Sequence, residues 1–141
     1  MANILFIDDS PERYNVAFSI LQATNDNMNI YLSSNVRSAI RLLCDVHFDL
    51  VILDVFIPIG DGAEDTIGSR AKMYEGEHQH LGGLELVDFL SKMENKPQVL
   101  MHTACFDYNI ISLFSEIVDD RIPKPAPIDV FIKSITEALN L

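Results

Sequence analysis

Three aspartates stand directly after apolar runs in this 141-residue sequence. Asp8 and Asp9 follow the run Ile4–Ile7, and Asp54 follows the run Leu50–Leu53. Carboxylates that meet in one place repel one another, and a divalent cation commonly neutralises such a cluster. Ligation by oxygen alone favours Mg²⁺ or Mn²⁺ over zinc. We therefore expect these aspartates to form a site for Mg²⁺ or Mn²⁺.

Two further polar residues stand at the ends of later apolar runs. Thr103 stands two residues after the fourth run, Val99–Met101, and Lys124 directly follows Pro123 at the end of the fifth. A hydroxyl can donate to a phosphoryl oxygen, and an ammonium group can pair with its charge. Each of these polar residues, taken alone, has a simpler explanation. Aspartates often cap helices, and threonine is common in strands. The ordered combination, however, describes a phosphoryl-transfer site.

The segments that would position these residues alternate between short apolar runs and helical stripes. Continuous apolar runs are typical of parallel strands that are covered on both faces. The predicted strands are Ile4–Ile7, Ile30–Leu32, Leu50–Leu53, Val99–Met101 and Arg121–Pro123. The proline in the last strand predicts an edge position. The sequence therefore predicts an α/β fold with one doubly wound parallel sheet, whose ligands bind at the carboxyl ends of the strands.

Helix starts agree with this alternation. Ser10 and Pro11 supply a capping hydroxyl and a proline at the first helical position after the first strand. Asp107 is predicted to cap the fourth helix, whose apolar stripe runs from Ile110 to Ile117, and Pro127 to open the fifth. The pattern thus predicts one helix after each strand.

One stretch departs from the alternation. All six glycines lie between Gly60 and Gly83, in a segment too long for an ordinary strand-to-helix loop. We expect an insertion at about residues 59–81, between the third strand and the third helix. Its pair His78 and His80 suggests a metal site, but a solvated loop with scattered histidines is the simpler interpretation.

The remaining residues with reactive side chains have structural explanations. Cys44 and Cys105 are distant in the sequence, and we expect two buried thiols rather than a disulfide. His102 lies in the fourth strand and is expected to be a core histidine with satisfied hydrogen bonds. His47 is expected to be a loop residue.

Composition excludes several classes of function. The chain carries 21 acidic and 10 basic residues, a formal net charge of −11. Affinity for nucleic acid comes largely from lysine and arginine, so we expect no nucleic acid partner. The longest apolar stretch, Leu50–Ile59, contains Asp54 and Pro58 and is far shorter than the roughly 20 residues of a membrane span. We therefore expect a cytoplasmic protein with no membrane partner.

The sequence resembles the receiver domain of two-component response regulators. The motifs that carry the resemblance are Ile4–Asp9, Phe48–Asp54 followed by Pro58, Gly83–Leu86, Met101–Ala104 and Asp119–Pro125. Their ordered occurrence is specific and covers the chain outside roughly residues 59–81. The resemblance implies one receiver domain over residues 1–141, with the flavodoxin-like receiver fold and strand order 2-1-3-4-5.

The resemblance also implies a role for each site residue. Asp54 would be the phosphoacceptor, and Mg²⁺ would be held by Asp8, Asp9, Asp54 and the backbone carbonyl of Phe56. Thr103 would be the switch hydroxyl. Lys124 would pair with the phosphoryl group, and its peptide bond to Pro125 is expected to be cis.

Three positions depart from the family pattern. Arg121 stands where the family usually carries an aromatic switch residue, so that Phe106 or Tyr108 either substitutes for it or only packs. Phe56 and Cys105 are apolar where the family often has polar residues that position the hydrolytic water. We therefore expect slow loss of the phosphoryl group.

These observations lead to a principal and an alternative function. The first is a phosphoryl-accepting receiver, supplied by a histidine kinase or a histidine phosphotransfer protein and acting on a downstream protein target. It would not be an enzyme beyond its own Mg²⁺-dependent phosphorylation and slow hydrolysis. The alternative is a protein-interaction module on the same fold that works without phosphorylation. A haloacid-dehalogenase-like phosphatase would need an acid where Phe56 stands.

Overall fold

The computed structural model describes residues 1–60 and 81–141 of the chain. Its strands form one parallel sheet in the order β2-β1-β3-β4-β5. Their bounds are Ala2–Ile7 for β1, Met28–Ser33 for β2, Leu50–Leu53 for β3, Gln98–Thr103 for β4 and Asp120–Pro123 for β5. The predicted fold class and strand order are confirmed, and β5 with its proline lies at an edge.

Helices cover both faces of this sheet. Their bounds are Asn15–Thr24 for α1, Val36–Asp45 for α2, Gly82–Ser91 for α3, Tyr108–Ile111 for α4 and Ile128–Ala138 for α5. Successive residues of β1 alternate between two apolar cores: Leu5 and Ile7 face the core on the side of α2 and α3, whereas Ile4 and Phe6 face that of α1 and α5. Burial on both faces explains why the strands are continuous apolar runs.

The fourth helix is shorter than its apolar stripe predicts. α4 ends at Ile111 and continues only as a 3₁₀ turn, Ser112–Phe114. The hydroxyl of Ser112 donates to the carbonyl of Asn109, and that of Ser115 donates to the carbonyl of Ser112. Serine hydroxyls that bind nearby carbonyls compete with helical hydrogen bonds, which accounts for the early end.

Two of the three predicted helix starts have the expected chemistry. Asp107 accepts a hydrogen bond from the N–H of Asn109 at the start of α4, and α5 begins directly after Pro127. Ser10 makes no side-chain cap, so the prediction of a capping hydroxyl was wrong, but Pro11 is the first residue of a 3₁₀ turn, Pro11–Tyr14, as expected. The N–H of Ser10 instead donates to Asp8 Oδ1 at 2.9 Å, because the chain turns back towards the strand end.

Both cysteines are free thiols, as expected, but only one of them is buried. Cys105 is buried, but Cys44 is exposed on α2, because the buried stripe of that helix ends at its neighbour Leu43. The predicted insertion lies largely outside the described residues, and so do His78 and His80. Its ends are adjacent, since Ile57 and Leu81 form a parallel bridge. Among the described helices, none is long and apolar enough to cross a membrane.

Candidate functional site

The sheet register places the acidic residues next to one another. Ile7 of β1 pairs with Leu53 of β3, so Asp8 and Asp54 leave the sheet side by side, and the N–H of Asp54 donates to the carbonyl of Ile7 at 3.2 Å. Oxygen atoms from Asp8, Asp9 and Asp54 lie within 4.8 Å of one another. Asp8 and Asp54 are buried, with 2% and 5% of their surface exposed, whereas Asp9 is exposed.

Lys124 lies between the two buried carboxylates. Its Nζ is 2.8 Å from Asp8 Oδ2 and 3.0 Å from Asp54 Oδ2. The lysine follows β5, two strands away from β3, and its peptide bond to Pro125 is cis, as expected. One cation therefore binds two acids that repel each other.

Neighbouring charges shift the pKa values of the residues in this cluster, and the direction differs from one residue to another. Burial alone would raise the pKa of Asp8, but hydrogen bonds from Lys124 and from the Ser10 N–H lower it below its usual value. Burial likewise opposes the charge of Lys124, yet Asp8 and Asp54 raise the pKa of the lysine. For Asp9, burial and the neighbouring carboxylate of Asp8 both raise the pKa. Lys124 thus stabilises the negative charge on Asp8, whereas the repulsion between the carboxylates of Asp8 and Asp9 raises the pKa of Asp9.

The donor set suits a hard divalent cation. It consists of carboxylate oxygens, the ligand type that Mg²⁺ prefers. Asp8 Oδ1 accepts from the N–H of Ser10, and Asp54 Oδ1 accepts from the N–H of Phe56 at 3.3 Å, so backbone contacts orient both buried acids. A metal ligand with its own hydrogen bonds is held in a defined orientation. Asp8, Asp9 and Asp54 therefore fit Mg²⁺ or Mn²⁺, whereas a ligand role for the Phe56 carbonyl stays a prediction.

Thr103 lies next to the end of β5, the strand that precedes Lys124. It is the last residue of β4, is fully buried, and pairs with Pro123, the residue before Lys124. Its Oγ1 accepts a hydrogen bond from the N–H of Cys105 at 3.2 Å. The structure thus brings the predicted hydroxyl to the same pole of the sheet as the acids and the lysine.

The three departures from the family pattern have distinct surroundings. Arg121 donates from Nη2 to the carbonyl oxygen of Cys105 at 2.9 Å. Phe106 and Tyr108 are 86% and 80% exposed, so neither ring is packed in the core. Cys105 is buried in the apolar core, and of the two apolar positions only Phe56 is partly exposed.

Tyr14 also borders the site, although it is not among the predicted site residues. The Nζ of Lys124 lies 6.0 Å from the centroid of the Tyr14 ring, at the outer limit of a cation–π contact. Tyr14 ends the 3₁₀ turn that follows the acidic pair, and burial raises the pKa of its hydroxyl. Its place three residues after Pro11, close to Asp8 and Asp9, is a signal that it borders the site.

His102 is a core histidine, as expected, but its hydrogen bonds are not satisfied. It is 2% exposed and packs against the rings of Phe6, Tyr14 and Phe131 at centroid distances of 5.1 to 6.1 Å. Its Nδ1 has no hydrogen-bond partner among the described residues. Burial, together with the charge of Lys124, lowers the pKa of His102 to about 4. The expectation of satisfied hydrogen bonds was therefore wrong.

Two glycines of α3 pack directly against the end of β3. A Cβ at Gly83 would lie 2.7 Å from the carbonyl oxygen of Asp54, and one at Gly82 would lie 2.4 Å from that of Ile57. Their N–H groups donate to the carbonyls of Val55 and Ile57. The start of α3 therefore supports the backbone that carries Asp54.

Comparison with solved structures identifies the fold of this chain. No family model matches the chain, and no curated protein matches it in sequence. Solved structures do match. A CheY-like response regulator receiver domain from Methanospirillum hungatei is 17% identical, with a TM-score of 0.73 over 99% of this chain and 94% of its own. The non-phosphorylated HemR receiver domain from Leptospira biflexa is 21% identical, with a TM-score of 0.73 over 100% and 96%.

A third match was solved with ligands. The response regulator TrrA from Thermotoga maritima, in complex with Mg²⁺ and beryllofluoride, is 22% identical, with a TM-score of 0.68 over 98% of this chain and 99% of its own. At these identities the similarity establishes the fold. The chain has the flavodoxin-like fold of response regulator receiver domains.

Proposed function

We propose that this chain is a response regulator receiver that accepts a phosphoryl group on Asp54. The observation that carries the proposal is the position of Lys124, whose Nζ bonds both Asp8 and Asp54 at one pole of the sheet. A cluster that served only stability would not need three neighbouring carboxylates, since their repulsion is costly. The fold shared with TrrA, which was solved with Mg²⁺ and beryllofluoride, supports the same assignment.

The proposed reaction is a phosphoryl transfer from a phosphohistidine of the donor protein. A carboxylate oxygen of Asp54 attacks phosphorus, the P–O bond forms, and the P–N bond to the histidine breaks with its electron pair left on nitrogen. Lys124 balances negative charge on the phosphoryl oxygens, because its ammonium is already held beside Asp54 at 3.0 Å. The product is an acyl phosphate on Asp54.

A divalent cation would be held by Asp8, Asp9 and Asp54, with the carbonyl of Phe56 as a further ligand. When bound, it would supply positive charge that stabilises the negative phosphoryl oxygens. The chain's own contribution is to keep Asp8 ionised through Lys124 and the Ser10 N–H, so that a charged ligand is ready at neutral pH.

Thr103 would couple phosphorylation of Asp54 to a conformational change at the surface of the protein. Its hydroxyl lies at the end of β4 and would donate to the new phosphoryl group, and a shift there biases the loop and helix that follow. The output would be an altered binding surface for a downstream protein target. The donor would be a histidine kinase or a histidine phosphotransfer protein, with residues 1–141 acting as one cytoplasmic receiver unit.

The test is phosphorylation by a small phosphodonor in the presence of Mg²⁺. Intact mass should show one added phosphoryl group on the parent and none on Asp54→Asn. Asp26→Asn is the matched control, because Asp26 is an exposed aspartate in the loop before β2 and the substitution changes the charge equally. If Asp54→Asn gains a phosphoryl group at the parental rate, the acceptor lies elsewhere.

An interaction module that works without phosphorylation remains the alternative function. Arg121, in place of an aromatic switch residue, is the feature that favours it. A parent protein that takes up no phosphoryl group, yet binds the same protein target as its Asp54→Asn variant, would support this alternative.

A further inference from the structure

Arg121 makes a side-chain contact in addition to the strand pairing of β5. It pairs with Met101 across β4 and β5, and its guanidinium reaches the loop after β4, where Nη2 donates to the carbonyl of Cys105 at 2.9 Å. Among the described residues, no carboxylate forms an ion pair with Arg121. The charge of Arg121 is therefore directed at this carbonyl, and a hydrogen bond with a charged donor is stronger than a neutral one.

Cys105 is held on both sides of its α-carbon. Its carbonyl accepts from Arg121, its N–H donates to Thr103 Oγ1 at 3.2 Å, and its side chain is buried in the core. The neighbouring Ala104 and Phe106 are exposed. Cys105 is thus the fixed point of an otherwise exposed loop, and it connects Arg121 to the hydroxyl of Thr103.

The contact with Cys105 has a consequence for the hydroxyl proton of Thr103. A hydroxyl has one proton to donate and two acceptor lone pairs. Because the Cys105 N–H occupies an acceptor position, the Thr103 oxygen is fixed, while in the described part of the chain its proton is donated to no other residue. The proton is therefore free for an oxygen that arrives at the site.

We propose that Arg121 is a positioning residue, which holds Cys105 so that the Thr103 hydroxyl is oriented to donate to a phosphoryl group on Asp54. The inference rests on the proposed function and adds a chain-specific element to it. Without the guanidinium, the loop from Ala104 to Asp107 has more conformations, and it must be ordered each time the phosphoryl group is bound. Ordering a group in advance increases affinity because that cost is removed from the binding step.

The experiment measures the affinity of the full chain for beryllofluoride in the presence of Mg²⁺, by titration calorimetry. Arg121→Ala should weaken the binding about fivefold, as expected when a loop must be ordered on binding. Arg121→Lys should restore part of the loss, because an ammonium also donates to a carbonyl but lacks the planar fork of arginine. Arg41→Ala, at an exposed arginine of α2, is the control and should bind as the parent does.

Two further measurements separate positioning from a general structural effect. The Cys105 amide should exchange its hydrogen faster in Arg121→Ala than in the parent, while the amides of β1 stay protected. In a Thr103→Val background, Arg121→Ala should have no additional effect on affinity, because the hydroxyl through which it acts is gone.

Opposite results would overturn the inference. Equal affinity of Arg121→Ala and the parent, unchanged exchange at Cys105, or an undiminished loss in the Thr103→Val background would each show that Arg121 does not act through Thr103. A parent protein that neither binds beryllofluoride nor accepts a phosphoryl group would instead overturn the proposed function, and this inference with it.

Discussion

Lys124 is the residue on which the charge balance of the site depends. Its Nζ binds one oxygen of Asp8 and one of Asp54, and these carboxylates have almost no contact with solvent. Removing one partner from a buried ion pair leaves an uncompensated charge, which costs more than the pair itself contributes. Lys124 therefore neutralises two of the three acids that we propose as ligands of a divalent cation.

The Phe56 position predicts how long a phosphoryl group stays on Asp54. Hydrolysis requires a water in line with the bond that breaks, and a phenyl ring offers no strong hydrogen bond to hold it. Phe56→Asn should shorten the half-life of the phosphorylated protein about tenfold, which corresponds to about 1.4 kcal/mol in the barrier. The decay is followed by intact mass after removal of the phosphodonor.

The matched control for this prediction is Phe106→Asn. Phe106 is 86% exposed and follows a different strand, so its substitution should leave the half-life unchanged. A half-life of Phe56→Asn equal to that of the parent would mean that this position does not control the water. Cys105 is unsuited to the same test, because a polar side chain there would enter the core.

The lowered pKa of the buried His102 leads us to predict a loss of folding stability in mild acid. Its pKa is about 4 in the folded protein against 6.5 ordinarily, so between these values the unfolded chain binds the extra proton. The stability that the neutral ring contributes is therefore complete above pH 6.5 and declines as the pH falls towards 4. At about 1.4 kcal/mol per pKa unit, the decline amounts to about 3 kcal/mol.

Urea unfolding at a series of pH values measures this effect, and His102→Phe should remove the decline between pH 6.5 and 4. Asp8, whose pKa is lowered, loses its contribution only at lower pH, and protonation of Asp9 relieves repulsion and acts in the opposite direction. The control is Gln22→Ala, at an exposed side chain that carries no titratable group, which should keep the parental pH dependence. A parental slope in His102→Phe would contradict the assignment.

The ends of the elements hold the site in place. Asp8 and Asp54 follow neighbouring central strands, and the first residues of α3 pack on the backbone that follows β3. Both strands are buried on both faces, so the positions of the two carboxylates are set by the core rather than by solvent-exposed loops. Sites supported by rigid elements keep their geometry more closely than sites built on loops.

Gly83→Ala tests the support that α3 gives to Asp54. The new Cβ would lie 2.7 Å from the carbonyl oxygen of Asp54 and 3.0 Å from Val55 Cα, both backbone atoms that move only with β3. We expect a loss of about 1 to 3 kcal/mol in the free energy of unfolding, typical of overpacking. Phosphorylation of Asp54 should also slow, because the carboxylate is displaced.

Ser19→Ala, at an exposed residue of α1, is the control for this substitution, and it should leave both the unfolding free energy and the phosphorylation rate nearly unchanged. Parental stability of Gly83→Ala would show that α3 can move away from β3 at little cost.

The molecule as a whole combines a net charge of −11 with an acidic cluster at one pole of the sheet. Lys124 neutralises part of that cluster, but the pKa of Asp9 stays raised because it faces the carboxylate of Asp8. A cation that binds only the folded cluster would therefore couple to the stability of the entire chain.

Mg²⁺ should stabilise the folded chain through this coupling. At a concentration ten times its dissociation constant, the gain is about 1.4 kcal/mol, measured by urea unfolding at constant ionic strength. Asp9→Asn should reduce the gain, whereas Asp26→Asn, an exposed aspartate outside the cluster, should keep it. Equal gains in both variants would indicate general screening of charge rather than a site.

The sequence alone determined the sheet and the residues of the acidic pole. Strands buried on both faces are continuous apolar runs, so β1 and β3 could be recognised as strands from the sequence. Polar residues directly after parallel strands meet at one edge of the sheet. The edge position of β5 followed from Pro123 for the same kind of local reason. These features depend on residue type and spacing, which the sequence contains.

Only the tertiary structure decided the contacts that join distant segments. The bond from Arg121 to Cys105 spans 16 residues, and the site neighbour Tyr14 is 110 residues from Lys124. Within the described residues the Nδ1 of His102 has no hydrogen-bond partner, and the rings packed around it come from three other elements. Side-chain direction and hydrogen-bond choice depend on packing across elements, and local sequence patterns do not specify that packing.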